Sequence, residues 1–350
     1  MKIILRTGGV ISAVGVGLTL AAVPTGPASA APETQVRCND IPGLISAIND
    51  ANTSGGRIRL ASHCTYTLTA ADNPDDGLPE ITGNVTISGR DTTIRRDPDA
   101  TDSFRIFHVV DGGVLTLKSL TVSGGISLTF GGGIANEGGT LNLDDSAVKG
   151  NRAVTGGGIE NDGGELNLDR TTVERNTAAN FGGGINNDVN GTMTMKSGAL
   201  LNNRAVTNNG GGLENRVGTA TLESVSIRGN SAIFGGGLRN VNLSTLNLKS
   251  TTVRDNIAER GAGLANNAST ATLVRSLVTR NIAITAGGGI YIEGDADTTL
   301  TDTRVVNNRP DNCAPEGSVP GCTNPTTTVA PPASHDSLVP DPDADLEQPK

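Results

Sequence analysis

Short alternations of apolar and polar residues fill this chain from about residue 56 to residue 308, and a single stretch shows helical spacing instead. That stretch predicts a helix from Asp40 to Asn52, with Asp40 as the N-cap. Its apolar residues fall at i, i+3, i+4 and i+7, and they are Ile41, Leu44, Ile45 and Ile48. The alternating stretches, such as Leu115-Thr116-Leu117, predict short strands separated by Gly, Asp and Pro.

One glycine-rich phrase recurs seven times. It reads Gly-Gly-Gly, an aliphatic residue, a variable residue and Asn, and we call it the glycine phrase. Its copies begin at residues 131, 156, 182, 210, 235, 261 and 287, and the last two are degraded to GAGLAN and GGGIYI. An alternating strand follows each phrase, and then a short strand that ends in Asn three residues after an aliphatic residue. Each unit of 25 to 28 residues therefore predicts three short strands.

Such a unit has too little apolar surface to fold alone, so neighbouring units must stack. When the units stack, equivalent residues recur about every 4.8 Å along the axis. Aliphatic columns then form the core, and Asn columns hydrogen-bond from coil to coil. This predicts an all-β, right-handed parallel β-helix of about ten coils, on the order of 50 Å long, with the helix as a cap. A propeller is disfavoured because its blades have about 40–45 residues, and a leucine-rich-repeat fold is disfavoured because its spaced leucines are missing.

These motifs resemble those of secreted right-handed parallel β-helix proteins of the pectin-lyase-like superfamily. The glycine phrases and Asn-ended strands are similar to the repeats of polymorphic outer-membrane-type proteins. The resemblance covers about residues 38–322, where residues 38–69 look like the usual start and residues 310–322 like the usual close. It implies the fold. The superfamily includes polysaccharide lyases, hydrolases and adhesins, so the resemblance does not imply one function.

The N-terminus predicts a signal peptide over residues 1–30. Lys2 and Arg6 precede an apolar run from Val10 to Val23, and Ala28-Ser29-Ala30 forms a cleavage site. We therefore expect a secreted protein with no membrane span after cleavage. The predicted regions that follow are a segment with the capping helix (31–55), irregular early coils (56–112), regular repeats (113–308), a disulfide-closed loop (309–322) and a disordered acidic Pro/Thr-rich tail (323–350).

The four cysteines suit an exported chain and predict one disulfide near each end of the β-helix. The expected pairs are Cys38–Cys64 and Cys313–Cys322. Loss of Lys2 and Arg6 with the signal peptide shifts the formal net charge from −9 to −11. This acidic balance argues against nucleic acid and anionic lipid as partners, whereas calcium or a cationic partner remains compatible.

The predicted register brings carboxylates onto neighbouring coils. Asp144 and Asp169 each follow the last leucine of a strand, about one strand spacing apart. They could bind a cation, or one could act as a general acid with a raised pKa, but a solvated mixed-charge stripe is the favoured interpretation. Asp162 and Asp188 could ligate calcium, although ordinary turn composition is favoured there.

The variable position of the glycine phrase forms a second column, which we expect to face outward. Glu160 and Glu214 lie in it two coils apart, roughly 9–10 Å, near the upper limit for the carboxylates of inverting glycosidases. Aromatic residues make up only 2% of the chain, which disfavours a sugar-binding groove. Phe130, Phe181 and Phe234 precede alternate glycine phrases, where packing at a corner is favoured over a sugar-facing row.

No catalytic residue and no metal ligand is assigned on these grounds. The repeats lack a Ser-His-Asp or Cys-His arrangement, and His63, His108 and His335 form no zinc pattern with the cysteines. The leading hypothesis is a secreted monomer that binds extracellular polysaccharide or cell-surface components without catalysis, with calcium as its one compatible cofactor. The alternative is a polysaccharide lyase or glycoside hydrolase on the same fold.

Overall fold

The repeat units stack into a parallel β-solenoid of about 11 turns with one short helix near its N-terminus. The computed structural model describes residues 33–326. The predictions of an all-β class, a parallel coil and an N-terminal helix are confirmed. The predicted signal peptide, and all but the first four residues of the predicted tail, lie outside the described residues.

The first part of the described chain contains the helix and the irregular coils. Its elements are β1 Glu33–Val36, α1 Ile41–Ser54, β2 Gly56–Leu60, β3 Thr65–Leu68, β4 Asn84–Arg96, β5 Phe107–Val109 and β6 Val114–Ser123.

The regular turns follow, beginning at the first glycine phrase. Their strands are β7 Ile134–Glu137, β8 Thr140–Asp144, β9 Ala147–Lys149, β10 Arg152–Thr155, β11 Ile159–Asp162, β12 Glu165–Asp169, β13 Thr172–Glu174, β14 Thr177–Phe181, β15 Ile185–Asp188, β16 Thr192–Lys196, β17 Ala199–Leu201, β18 Arg204–Ala205, β19 Leu213–Arg216, β20 Thr219–Glu223, β21 Ser226–Arg228, β22 Leu238–Val241, β23 Thr245–Lys249, β24 Thr252–Arg254, β25 Ile257–Arg260, β26 Leu264–Asn267, β27 Thr270–Val274, β28 Leu277–Thr279, β29 Ile282–Ala286, β30 Ile290–Glu293, β31 Asp297–Thr301, β32 Arg304–Val306 and β33 Cys313–Ala314.

Both ends of the solenoid are closed as the sequence predicts. Asp40 caps α1 by accepting a hydrogen bond from the Gly43 N–H at 3.0 Å, and the helix buries Leu44 and Ile48 against the first coils. The disulfides Cys38–Cys64 and Cys313–Cys322 are confirmed. At the far end, the side chain of Asn324 accepts hydrogen bonds from the backbone N–H groups of residues 312 and 313, at 2.9 Å each. No helix among the described residues is long and apolar enough to cross a membrane.

Each regular turn contributes strands to separate faces of the solenoid. The seven strands that follow the glycine phrases, together with β5 at one end and β33 at the other, form a nine-stranded parallel sheet, which we call the phrase sheet: β5, β7, β11, β15, β19, β22, β26, β30 and β33. The longer alternating strands and the short Asn-ended strands form a 19-stranded sheet. Short strands such as β10 and β14 lead into the next glycine triplet and pair with each other from coil to coil.

Two buried asparagine ladders run through the interior beside the aliphatic core. In the phrase ladder, each side-chain amide donates to the next Asn at 2.6–2.9 Å, through Asn136, Asn161, Asn187, Asn215, Asn240 and Asn266. In the strand-end ladder, the corresponding distances are 2.9–3.1 Å, through Asn151, Asn176, Asn203, Asn230, Asn256, Asn281 and Asn308. The prediction of hydrogen-bonded Asn columns is confirmed.

Candidate functional site

The phrase sheet carries a row of charged side chains that are aligned from coil to coil. Parallel register aligns Glu160 with Asn186, and then with Glu214 and Arg239, on four successive coils. Two residues further along the strands, Asp162 is aligned with Asp188, and Arg216 follows on the next coil. We call these side chains the charged row: Glu160, Asp162, Asp188, Glu214, Arg216 and Arg239.

The variable column of the glycine phrase is buried, so the prediction that it lies at the surface is wrong. Glu160, Glu214 and Arg239 expose only 5%, 1% and 6% of their surface. The cause is the first glycine of each phrase, which has φ between +57° and +68° and turns the chain back over the residue four positions later. A β-carbon on Gly156 would lie 2.5 Å from Glu160 Oε2.

Glu160 is held in a pocket that favours its protonated form. Burial raises its pKa to about 8, and the nearby charges of Asp188 and Asp162 act in the same direction. Two hydrogen bonds oppose the shift: Asn186 Nδ2 donates to Oε1 at 2.6 Å, and Thr155 Oγ1 donates to Oε2 at 3.0 Å. Because burial outweighs these bonds, Glu160 holds a proton at neutral pH.

Glu214 is more completely enclosed but lies closer to cations. Burial raises its pKa to about 7, the charges of Arg239 and Arg216 oppose this, and Asp188 adds to the rise. Within residues 33–326, Glu214 Oε2 has no hydrogen-bond partner, and neither do Nε and Nη1 of Arg239. Buried polar groups without partners are rare in folded proteins, and perturbed pKa values such as that of Glu214 cluster at functional sites.

Asp188 is already paired with a cation, which weakens its case as a calcium ligand. Arg216 Nε donates to Asp188 Oδ2 at 2.9 Å, and Oδ1 accepts from the Val189 N–H at 2.8 Å. Asp162, its predicted neighbour, is half-buried; burial and the charges of Asp188 and Glu137 raise its pKa. The two carboxylates therefore lie on adjacent strands, as predicted, but one is already satisfied. Their role as calcium ligands stays a prediction.

The three phenylalanines that precede alternate glycine triplets lie beside the charged row, and each is half-buried. Thr155 pairs with Phe130 on one side and Phe181 on the other, so successive rings are two coils apart. A guanidinium lies 5.1–5.5 Å from each ring centroid and forms an ion pair with a carboxylate. These units are Phe130–Arg105–Asp76, Phe181–Arg216–Asp188 and Phe234–Arg239–Glu293. The rings pack at the corner, but part of each remains accessible.

Asp144 and Asp169 lie on the other sheet, away from the charged row. They are register partners on β8 and β12, as predicted, and both are half-exposed. Arg170 forms ion pairs with these two carboxylates and with Asp145. Its hydrogen bond lowers the pKa of Asp145, and the cluster borders a surface concavity of about 390 Å³. This arrangement fits a solvated stripe better than a general acid.

From the sequence alone, Arg216, Arg239 and His108 were not identified as site residues. His108 pairs with Ala135 in the register of the phrase sheet, so it occupies the variable column two coils before Glu160. Extending that column backward from the first glycine phrase would have found it. Burial disfavours the imidazolium, but the hydrogen bond and charge of Asp76 outweigh that effect and raise the pKa of His108.

Fold and site define a parallel β-solenoid with a partly buried row of charged and aromatic residues. Comparison with protein-family models and with curated proteins finds no match to this chain.

Glu160→Gln should change how stability depends on pH. Because the folded-state pKa is raised from 4.5 to about 8, the folded chain keeps a proton that the unfolded chain releases. The stabilisation is complete below about pH 4.5 and is lost as the pH rises through about 8. Between these values the wild type should lose on the order of 3–5 kcal/mol relative to the variant.

Urea unfolding from pH 4.5 to 9 measures this difference. Glu214 titrates in both proteins, so the comparison isolates residue 160. The exposed Glu165 supplies the control, since Glu165→Gln should leave the wild-type pH profile unchanged. Parallel curves for the wild type and Glu160→Gln would show that Glu160 titrates normally.

Proposed function

We propose that this protein is a secreted polysaccharide-binding β-helix of the pectin-lyase-like kind, and that it binds an extended sugar chain along the edge of the phrase sheet. One observation carries this proposal. An aromatic ring recurs three times at this edge, at Phe130, Phe181 and Phe234, at intervals of two coils, and a guanidinium lies 5.1–5.5 Å from the centroid of each ring.

The rings match the chemistry of a sugar, because an aromatic face packs against the apolar C–H face of a pyranose ring. Of the three guanidiniums, that of Arg216 can bond sugar hydroxyl groups, whereas Arg105 and Arg239 expose only 3% and 8% of their side chains. Two coils correspond to roughly 9–10 Å, so an extended polysaccharide lying along the axis could contact successive rings with a regular repeat. Arg216 is 39% exposed at its side chain, and it remains accessible to such a ligand.

An extracellular setting is supported by the two disulfides, since such bonds persist in oxidising compartments. The predicted signal peptide agrees with this setting. In this proposal the protein acts as a monomer, and its partners are polysaccharides of the surroundings or of cell surfaces.

Phe181→Ala should weaken polysaccharide binding by on the order of tenfold, because loss of an anchoring side chain typically costs at least about 1–2 kcal/mol. The measurement is titration of the purified full chain with a panel of neutral and acidic polysaccharides, with and without calcium. Leu243→Ala is the matched control, since Leu243 is 89% exposed and follows the end of β22, whereas Phe234 precedes its start. The proposal is wrong if no polysaccharide binds, or if Phe181→Ala binds as tightly as the control.

A lyase or hydrolase is the second candidate, and the two glutamates favour it. Glu160, with a pKa of about 8, could serve as a general acid, and Glu214, with a pKa of about 7, as a base. Their burial disfavours this role, since 5% and 1% exposure leave little access for a glycosidic oxygen. Binding without turnover is therefore the better-supported function.

The same polysaccharide panel separates the two functions when reducing ends and unsaturated products are assayed. Turnover that disappears in both Glu160→Gln and Glu214→Gln would establish the enzyme and displace the binding proposal. Binding without any product would exclude catalysis on the polysaccharides tested.

A further inference from the structure

Three ligand-type side chains converge near the N-terminal end of the phrase sheet. Asp76 and Glu80 lie in the segment between β3 and β4, and His108 lies on β5. One ligand atom from each falls within 4.8 Å of the other two. His108 Nδ1 is 3.3 Å from Asp76 Oδ2 and 3.7 Å from Glu80 Oε1.

We propose that Asp76, Glu80 and His108 bind a divalent metal ion of the zinc class. A tetrahedral site with metal–ligand bonds of about 2.0–2.1 Å has ligand–ligand edges of about 3.4 Å. The two edges at the imidazole nitrogen, 3.3 and 3.7 Å, are close to that value. One imidazole with two carboxylates selects a transition metal over calcium or magnesium, which prefer oxygen ligands alone.

Neighbouring groups hold the ligands in place. Arg105 Nη1 donates to Asp76 Oδ1 at 3.0 Å, which leaves Oδ2 to face His108. On the other side of the imidazole, Nε2 has no aligned hydrogen-bond partner among the described residues, yet Glu137 Oε1 lies 2.9 Å away. Metal on Nδ1 would place the proton on Nε2, beside Glu137, in the carboxylate–histidine–metal arrangement that is common around zinc.

The local charge also favours a dication. Three carboxylates, those of Asp76, Glu80 and Glu137, surround His108, and the guanidinium of Arg105 pairs with that of Asp76. A divalent ion at Nδ1 would offset the negative charge of Asp76 and Glu80, its two carboxylate ligands. The Glu80 side chain is 49% exposed, so an ion can enter from that side, and a fourth position remains for water.

Calorimetric titration of the purified full chain with Zn²⁺ tests this site. We expect one equivalent to bind, and Co²⁺ to give the visible absorption of a tetrahedral site. Loss of an outer-shell partner weakens metal binding by roughly 10- to 100-fold, so Glu137→Gln should weaken Zn²⁺ binding by that amount. His108→Gln and Glu80→Gln remove ligands and should weaken it by more.

His63→Gln and His335→Gln are the matched controls, and both should bind Zn²⁺ like the wild type. His63 is exposed and faces one carboxylate, that of Asp91. Because Glu80 is half-exposed, Glu80→Gln should fold normally, which a thermal unfolding curve can verify. If Zn²⁺ does not bind, or if it binds His108→Gln and Glu80→Gln with wild-type affinity, the cluster is an ion-pair network only and the proposal is wrong.

Discussion

Gly182→Ala should lower the free energy of unfolding by about 3–5 kcal/mol, because it combines backbone strain with an unavoidable collision. Gly182 is the first residue of a glycine phrase and has φ +62°. A β-carbon there would lie 2.5 Å from the Ile185 carbonyl oxygen and 2.7 Å from Asn186 N and Cβ. Backbone atoms cannot rotate away, so the turn would have to open. Chemical unfolding followed by circular dichroism gives the value.

Gly150→Ala separates the two contributions. Gly150 has nearly the same φ, +63°, but a β-carbon there would meet nothing within 4 Å. The next two turns place Arg175 and Asn202 at the corresponding position with positive φ, so the backbone conformation alone is tolerated. Gly150→Ala should therefore cost only about 1–2 kcal/mol. Equal losses in the two variants would show that the collision contributes little.

The sequence predicted which residues become neighbours, because a parallel solenoid repeats one chemical column per turn. Asp144 and Asp169, expected on adjacent coils, are register partners. Glu160 and Glu214, expected two coils apart, are separated by Asn186. In both cases, the repeat period and the alternation within each strand were sufficient to fix the register.

The surroundings of those columns were not predictable from the same pattern. Arg170 lies in a turn with φ +46° and reaches aspartates on two coils, which no strand pattern indicates. Burial of the phrase column depends on how the first glycine turns back over Glu160. Two carboxylates in similar columns therefore differ: the half-exposed Asp144 is neutralised by an arginine, whereas the enclosed Glu160 has a raised pKa.

The least predictable residues come from the irregular coils. Asp76 and Glu80 lie between β3 and β4, in a segment without a repeat, so no column places them near His108. Their convergence depends on the path of that segment, including a backbone hydrogen bond from Ile81 N to His108 O at 2.8 Å. The regular repeats determine the scaffold, and the departures from regularity create the clusters with unusual chemistry.

Asn230→Ala should be as damaging as the glycine substitution, although it removes only a small side chain. Asn230 is fully buried, and its amide joins its own coil to the coils on both sides. Its Oδ1 accepts from the backbone N–H and the side chain of Asn203, at 2.9 and 3.1 Å, and its Nδ2 donates to Leu200 O and Asn256 Oδ1, at 2.9 and 3.0 Å. Alanine leaves several of these groups buried without a partner, each at about 1–3 kcal/mol, so we expect a loss of about 3–5 kcal/mol.

Asn167→Ala is the matched control, because it removes an Asn–Asn bond of the same kind from the solvent side of a strand. Asn167 Nδ2 donates to Asn142 Oδ1 at 3.1 Å, but the residue is half-buried, so water can replace the lost bond and the cost should stay below about 1 kcal/mol. Urea unfolding of both variants compares the two environments. If Asn230→Ala costs no more than Asn167→Ala, the aliphatic columns and the backbone pairing of the strands hold the coils together, and the interior ladders contribute no net stability.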